Sequence, residues 1–163
     1  MNKINISMAT LISKVDFAIE FSSESIYKEY LHTVQPQLPD NPAKPAIDFV
    51  TVIDDNLLNS MPHTKKFIEE FGAFVNYDQA SFRNMIPNST YTVHNDKFRW
   101  QPINYHVPIK THRGCYFVYP SVNDHPLYTL DENSIYECCV SKNHTFINAS
   151  PHNRIHLTFE KMI

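Results

Sequence analysis

From Ala46 onward, short runs of β-branched and aromatic residues recur, and each is closed by Asn, Asp, Pro or Ser. The runs cover Ile47–Ile53, Ser81–Met85, Thr90–His94, Ile103–Ile109, Cys115–Tyr119, Ser134–Cys139, Thr145–Asn148 and Ile155–Glu160. Turn residues separate them, among others at Pro87-Asn88-Ser89, His112-Arg113-Gly114, Asp131-Glu132-Asn133 and Ser150-Pro151. Many short strands at such spacing predict an antiparallel β-sandwich or jelly roll, because a parallel sheet needs a helical crossover between successive strands. One helix is expected inside this region, over Pro62 to Phe71, with Pro62 in its first turn and Gly72 as its stop.

Residues 1–45 read as an accessory region, and residues 46–163 as the core of a single domain. Lys14–Phe21 alternates polar and apolar residues, which predicts a half-buried strand. Ser22–Val34 predicts a short helix capped by serine, with Ile26, Tyr30 and Leu31 on one face. Pro36, Pro39, Pro42 and Pro45 recur at every third position, the spacing of an extended connector, read here as a wrapping loop.

Composition excludes several classes. The 163 residues are 42% hydrophobic and 13% aromatic, too apolar for a disordered chain. Two glycines leave no phosphate-cradling loop. A net charge of −3 gives no electrostatic footprint for nucleic acid or an anionic membrane. No apolar stretch is long enough to span a bilayer, and the first residues read poorly as an export signal because Ser13, Lys14 and Asp16 interrupt them. A cytoplasmic location is therefore expected, with Cys115, Cys138 and Cys139 as reduced thiols and the four Asn-x-Ser/Thr sequons as chance matches.

Seven of the nine histidines fall between positions 94 and 156. In extended chain His94 and Asp96 point to the same side, so an imidazole and a carboxylate can grip one metal ion from a single strand end. His144 is the candidate third ligand. Two histidines and one carboxylate form the facial arrangement of non-haem Fe(II) oxygenases, which leaves coordination positions open. Arg154 follows in an otherwise apolar strand with Ile155, Leu157 and Phe159, where a guanidinium is costly unless it meets an anion. Its planar fork suits a carboxylate. A structural salt bridge is the alternative reading of Arg154, and a surface turn the alternative reading of His94-Asn95-Asp96.

The layout H-x-D, a distal His, and Arg ten residues later within Asn148-Ala-Ser150-Pro-His-Asn-Arg154-Ile-His156-Leu resembles the aspartyl/asparaginyl β-hydroxylase family of Fe(II)- and 2-oxoglutarate-dependent oxygenases. The segments Arg83–His94, Tyr105–Phe117 and Tyr128–Glu137 are similar to the family's strands in the same order, so the likeness runs from about Arg83 to Phe159. It is also similar to the small amino-acid hydroxylases of that group, such as L-proline cis-4-hydroxylase. The resemblance implies a double-stranded β-helix, cupin-like and all-β with a few flanking helices. It implies Fe(II) on His94, Asp96 and His144, 2-oxoglutarate on Arg154, and His106 beside the cosubstrate. His156, Asn104 and Arg83 are candidates for the surrounding shell or the substrate, as are Arg99, Trp100 and Arg113. The chain departs from the family pattern at Asn104, where an arginine is usual, and at Asn88, where a glycine is usual; asparagine also tolerates the left-handed backbone.

The function expected is dioxygenase hydroxylation of an unactivated C–H, with O2 as cosubstrate and release of succinate and CO2. Its substrate would be an amino acid or an aspartyl, asparaginyl or prolyl-type side chain, free or in a peptide. A cupin-type metal-binding protein without that chemistry is the alternative, and a silent interaction module a third. His112, His125, His32, His63 and His152 are expected at the surface, and oligomeric state is left open.

Overall fold

The two-residue alternation of the last strand organises the molecule. In Arg154–Glu160, every residue is buried, with Ile155, Leu157 and Phe159 on one face and Arg154, His156, Thr158 and Glu160 on the other. A strand buried on both faces belongs in the middle of a sheet that is covered on both sides, and that is where it lies. The computed structural model describes residues 11–39, 48–96 and 103–161.

Among these residues there are ten strands: β1 (Ile12–Val15), β2 (Asp48–Val52), β3 (Gln79–Met85), β4 (Ser89–Thr90), β5 (Ile103–Lys110), β6 (Cys115–Val118), β7 (Leu127–Tyr128), β8 (Ile135–Cys139), β9 (Thr145–Asn148) and β10 (Arg154–Glu160). A six-stranded major sheet has the order β1-β8-β5-β10-β3-β2, and a four-stranded minor sheet the order β4-β9-β6-β7. All pairings are antiparallel. The helices are α1 (Ser23–Thr33), the single turn α2 (Asp55–Leu58) and α3 (Pro62–Gly72). The expected jelly-roll architecture with few helices is the observed one.

The apolar face of the major sheet packs on α1 and α3. Ile26 and Tyr30 of α1 and Phe67 and Phe71 of α3 meet Phe82, Val107, Leu157 and Phe159. The rings of Phe71 and Phe159 stack with centroids 3.9 Å apart. Between the two sheets lies a smaller core of Leu11, Phe117, Tyr119, Leu130, Tyr136 and Cys138. That second core occupies only part of the space between the sheets; the rest is polar and forms the site described below.

Local signals account for most element ends. Ser22 caps α1 through its hydroxyl to the Ser25 N–H. Pro62 opens α3, and no side chain of its own segment caps it; the Glu29 carboxylate of α1 instead accepts from the N–H groups of His63 and Thr64, each at 2.8 Å. Asn88 adopts φ 52°, the left-handed backbone anticipated for it. Cys115 and Cys138 are buried free thiols, and Cys139 is partly buried. No helix among the described residues is long and apolar enough to cross a membrane.

The structure corrects four local expectations. The first strand is Ile12–Val15 rather than Lys14–Phe21, because its partner β8 offers register only to Ile12–Val15 and Ala18 turns the chain at φ 56°. Leu31 is 38% exposed and does not share the buried face of Ile26 and Tyr30. Pro36 sits in a short 3-10 turn, Gln35–Gln37, not in extended chain; Pro42 and Pro45 lie outside the described residues. Regular pairing in Thr90–His94 stops after Thr90, and His94 rejoins only as an isolated bridge. Leu127–Tyr128 pairs as a strand that the residue pattern did not reveal.

Candidate active site

The segments that precede the two histidines of interest run antiparallel to each other. Ser89 and Thr90 pair with Asn148 and Ile147, Tyr91 donates its N–H to Phe146, and His94 and His144 exchange backbone hydrogen bonds at 3.0 and 2.8 Å. The side chain of Thr145 also donates to the carbonyl of Tyr91. Asp96 N–H then bonds the carbonyl of Val140 at 2.8 Å, and the Asn95 amide reaches Asn143 at 2.8 Å. Strand pairing therefore brings His94, Asp96 and His144 to one place, and their ligand atoms all lie within 4.8 Å of one another.

The imidazoles are oriented as metal ligands require. His94 Nδ1 lies 2.7 Å from the carbonyl of Thr92, and His144 Nδ1 lies 2.7 Å from that of Lys142. Each Nδ1 therefore carries the proton, and each Nε2 presents a lone pair. His144 Nε2 is 3.9 Å from Asp96 Oδ2, and the ring centroids of the two histidines are 4.5 Å apart. Burial lowers the His144 pKa, which favours the neutral ligand form. Two neutral imidazoles and one carboxylate on one side of a cavity fit a divalent ion with nitrogen and oxygen preference.

A cavity of about 340 Å³ lies between the sheets, bounded by these three residues and by Arg83, His106 and Arg154. Arg154 is 3% exposed, its Nε has no hydrogen-bond partner, and no carboxylate pairs with it among the described residues. Its guanidinium lies 4.9 Å from the centre of the Phe146 ring. Burial pushes its pKa down to about 10, with the negative charge of Asp48 acting the other way, so the cation persists at neutral pH. Among the described residues no carboxylate forms the salt bridge that was the alternative reading of Arg154, and its charge is built into the cavity wall.

The loop before Arg154 is held by Asn148, which is fully buried. Its Nδ2 donates to the carbonyls of Met85, Ile86 and His152, and its Oδ1 accepts from Ser150 N–H, Ser150 Oγ and Cys115 Sγ. The Asn-x-Ser spacing before Arg154 is thus a structural knot.

His106 lies on β5 and lines the cavity. Its Nδ1 is 3.0 Å from Nδ1 of His156 on β10, so one ring donates and the other accepts. Both are buried, and desolvation followed by the Arg154 charge holds both well below the ordinary value of 6.5. His156 therefore faces the same side as Arg154 and supports His106 from behind. Asn104 lines the cavity, and its Oδ1 is buried without a partner. Arg83 lines it as well, bonded to Glu160 at 3.0 Å with Asp48 at 3.8 Å.

Asp48, Glu160, Tyr91 and Phe146 also line the cavity and were not singled out in the sequence. Continuing the alternation from Arg154 through His156 and Thr158 would have found Glu160. Asp48 carries no such signal, because only the long-range pairing of β2 with β3 brings it there. Arg113 is exposed and outside the cavity lining; Arg99 and Trp100 lie outside the described residues. His32, His63, His125 and His152 are exposed as expected, whereas His112 is half-buried, with its ring 4.6 Å from that of His152.

The family model described as "Aspartyl/Asparaginyl beta-hydroxylase" matches residues 50–162. No curated protein matches the chain in sequence. Among solved structures, the chain resembles a prolyl-4-hydroxylase from Pseudomonas putida at 12% identity and TM-score 0.62, covering 98% of this chain and 97% of that one. A Trichoplax adhaerens prolyl hydroxylase, in complex with a hypoxia inducible factor peptide fragment, is similar at 12% identity and TM-score 0.66, covering 98% and 86%. The viral collagen prolyl hydroxylase of Paramecium Bursaria Chlorella virus-1, in a 2-oxoglutarate complex, is similar at 10% identity and TM-score 0.60, covering 91% and 94%. At these identities the likeness establishes a shared fold.

Proposed function

The chain belongs to the aspartyl/asparaginyl β-hydroxylase family, and from that premise we propose an assignment of roles within the cavity that His94, Asp96 and His144 line. It is a 2-oxoglutarate- and Fe(II)-dependent oxygenase of the hydroxylase kind. We assign Fe(II) to His94, Asp96 and His144, and the distal carboxylate of 2-oxoglutarate to Arg154. When bound, Fe(II) and 2-oxoglutarate supply with O2 the oxidising chemistry that turns a substrate C–H into C–OH, with succinate and CO2 released.

The chain's own residues contribute position and electrostatics. His94 and His144 keep their Nε2 lone pairs aimed by the Nδ1 bonds to Thr92 and Lys142. Asp96 adds a negative charge to the ligand set and so lowers the net charge a dication brings to the site. Arg154 neutralises a carboxylate in a low-dielectric setting, where a charge-assisted fork is strong. His106, held in one orientation by His156, offers its remaining ring nitrogen to the cosubstrate. Phe146 covers the guanidinium and keeps water from it.

The substrate proposed is an amino acid or an aspartyl, asparaginyl or prolyl-type side chain; that one similar hydroxylase holds a peptide keeps peptide substrates in view. The observation that carries this reading is the presence, in one cavity, of three convergent metal-ligand atoms and a buried guanidinium that forms no salt bridge among the described residues. A cupin-type metal protein without cosubstrate would have no use for that guanidinium. Succinate release from 2-oxoglutarate tests the reading: Asp96→Ala should abolish it, and persistent turnover in that variant would reassign the ligand.

A further inference from the structure

The major-sheet wall of the cavity carries charges that neither the metal nor the cosubstrate uses. Asp48 opens β2 beside Met85 of β3, which in turn pairs with Arg154. Its side chain is 9% exposed, Arg83 lies 3.8 Å away, beyond hydrogen-bond distance, and the charge of the Arg154 guanidinium acts on it as well. A carboxylate can accept about four hydrogen bonds, and one left unsatisfied in a nearly buried position is costly. Arg83 offers five N–H donors, and its close bond with Glu160 at 3.0 Å uses one of them. A carboxylate with open acceptor sites thus stands next to a guanidinium with open donor sites, both on the cavity wall.

We propose that Asp48 and Arg83 form the substrate-recognition pair, Asp48 receiving a protonated amine and Arg83 the carboxylate of a free α-amino or α-imino acid. This rests on the oxygenase reading above and narrows its substrate class. A free amino acid carries its cation and anion on one carbon, so the two groups fall within reach of adjacent side chains on β2 and β3. An internal peptide residue offers only a neutral amide N–H and C=O there. Those cannot compensate a nearly buried carboxylate as an ammonium does. A cavity of about 340 Å³ suits a small dicarboxylate together with an amino acid.

Calorimetry on the full chain, loaded with Fe(II) and 2-oxoglutarate under argon, tests this. The probes are the twenty common L-amino acids, each paired with its N-acetyl form and its carboxamide. At least one free amino acid should bind roughly tenfold or more tightly than either blocked form. Asp48→Asn should weaken it roughly 10- to 100-fold and erase the discrimination against N-acetylation, as loss of a hydrogen bond to a charged group does. Arg83→Lys, which keeps a cation between Asp48 and Glu160 but loses the planar fork, should weaken the free acid roughly tenfold and the carboxamide far less, narrowing the discrimination between them. Blocked forms that bind as tightly as free ones, a panel without binding, or an Asp48→Asn variant that keeps its preference would overturn the pair. The two levels separate cleanly: failure of 2-oxoglutarate itself to bind overturns the oxygenase assignment and this one with it, whereas 2-oxoglutarate binding without amine preference overturns this one alone.

Discussion

His94 and His144 donate backbone N–H groups to each other's carbonyls, at 3.0 and 2.8 Å, so the same two residues that present the imidazoles also close the strand pair that holds them. The ligand set is therefore a property of β-sheet register, with no need of a flexible loop to assemble it.

The turn after His94 adds a side-chain tie, Asn95 Nδ2 to Asn143 Oδ1 at 2.8 Å. Partners behind ligands are worth about 10- to 100-fold in metal affinity. Asn143→Ala should weaken Fe(II) binding by about tenfold, whereas Asp96→Ala should lose it by a far larger factor. Competition against a chromophoric chelator measures both. An unchanged affinity in Asn143→Ala would mean that backbone pairing alone fixes the ligand geometry.

Arg154 is a buried cation with no carboxylate at ion-pair distance among the described residues, and such a charge destabilises the ligand-free fold. Arg154→Met should therefore leave the melting temperature of the ligand-free protein unchanged or raise it, while abolishing the stabilisation given by 2-oxoglutarate. Thermal melts with and without 2-oxoglutarate decide this. A large loss of ligand-free stability would show that the guanidinium is structural.

The fold was legible where a local pattern suffices. Ser22 and Pro62 mark helix starts, Asn88 supplies a left-handed turn, and the alternation Ile155, Leu157, Phe159 marks a core strand. The histidines, Asp96 and Arg154 stood out because their residue types are costly or unusual in strands. What escaped depends on partners distant in sequence. Ile12–Val15 is a strand because β8 pairs there, α3 is capped by Glu29 from another helix, and Asp48 reaches the cavity only through β2–β3 register. Leu127–Tyr128 is too short to carry a period of its own.

The His106–His156 pair makes stability depend on pH. Both rings are neutral in the fold, and the Nδ1–Nδ1 bond of 3.0 Å leaves no room for a second proton between them. Burial first, then the Arg154 charge, holds both below the ordinary 6.5. Below that value the unfolded chain binds protons that the folded chain refuses, so stability is full above about pH 6.5 and falls as the pH drops. Each histidine contributes up to about 1.4 kcal/mol per pH unit. Urea midpoints of the metal-free protein between about pH 5 and 8 should show this slope, and His156→Gln should reduce it. A flat profile would contradict neutral burial.

Phe71 stacks on Phe159 with centroids 3.9 Å apart and is fully buried, whereas Phe74, three residues on, is 57% exposed. Phe71→Ala should cost about 3–5 kcal/mol, as the truncation of a buried aromatic does. Phe74→Ala, which loses only its stacking on Phe17 at 5.2 Å, should cost under about 1 kcal/mol. Denaturant unfolding of the two variants compares them directly, and equal losses would mean that the helix-facing core is not centred on Phe71.

On the assignment proposed above, one cavity holds a divalent iron on His94, Asp96 and His144 and a 2-oxoglutarate carboxylate on Arg154. Anaerobic titration with Fe(II) and 2-oxoglutarate, followed by visible absorption, tests it most directly, because a 2-oxo acid chelated to Fe(II) gives a weak charge-transfer band. The band should form with one equivalent of each in the unaltered chain, be absent in Asp96→Ala, and need far more 2-oxoglutarate in Arg154→Met. No band in the unaltered chain, or a band with the same 2-oxoglutarate dependence in Arg154→Met, would contradict it.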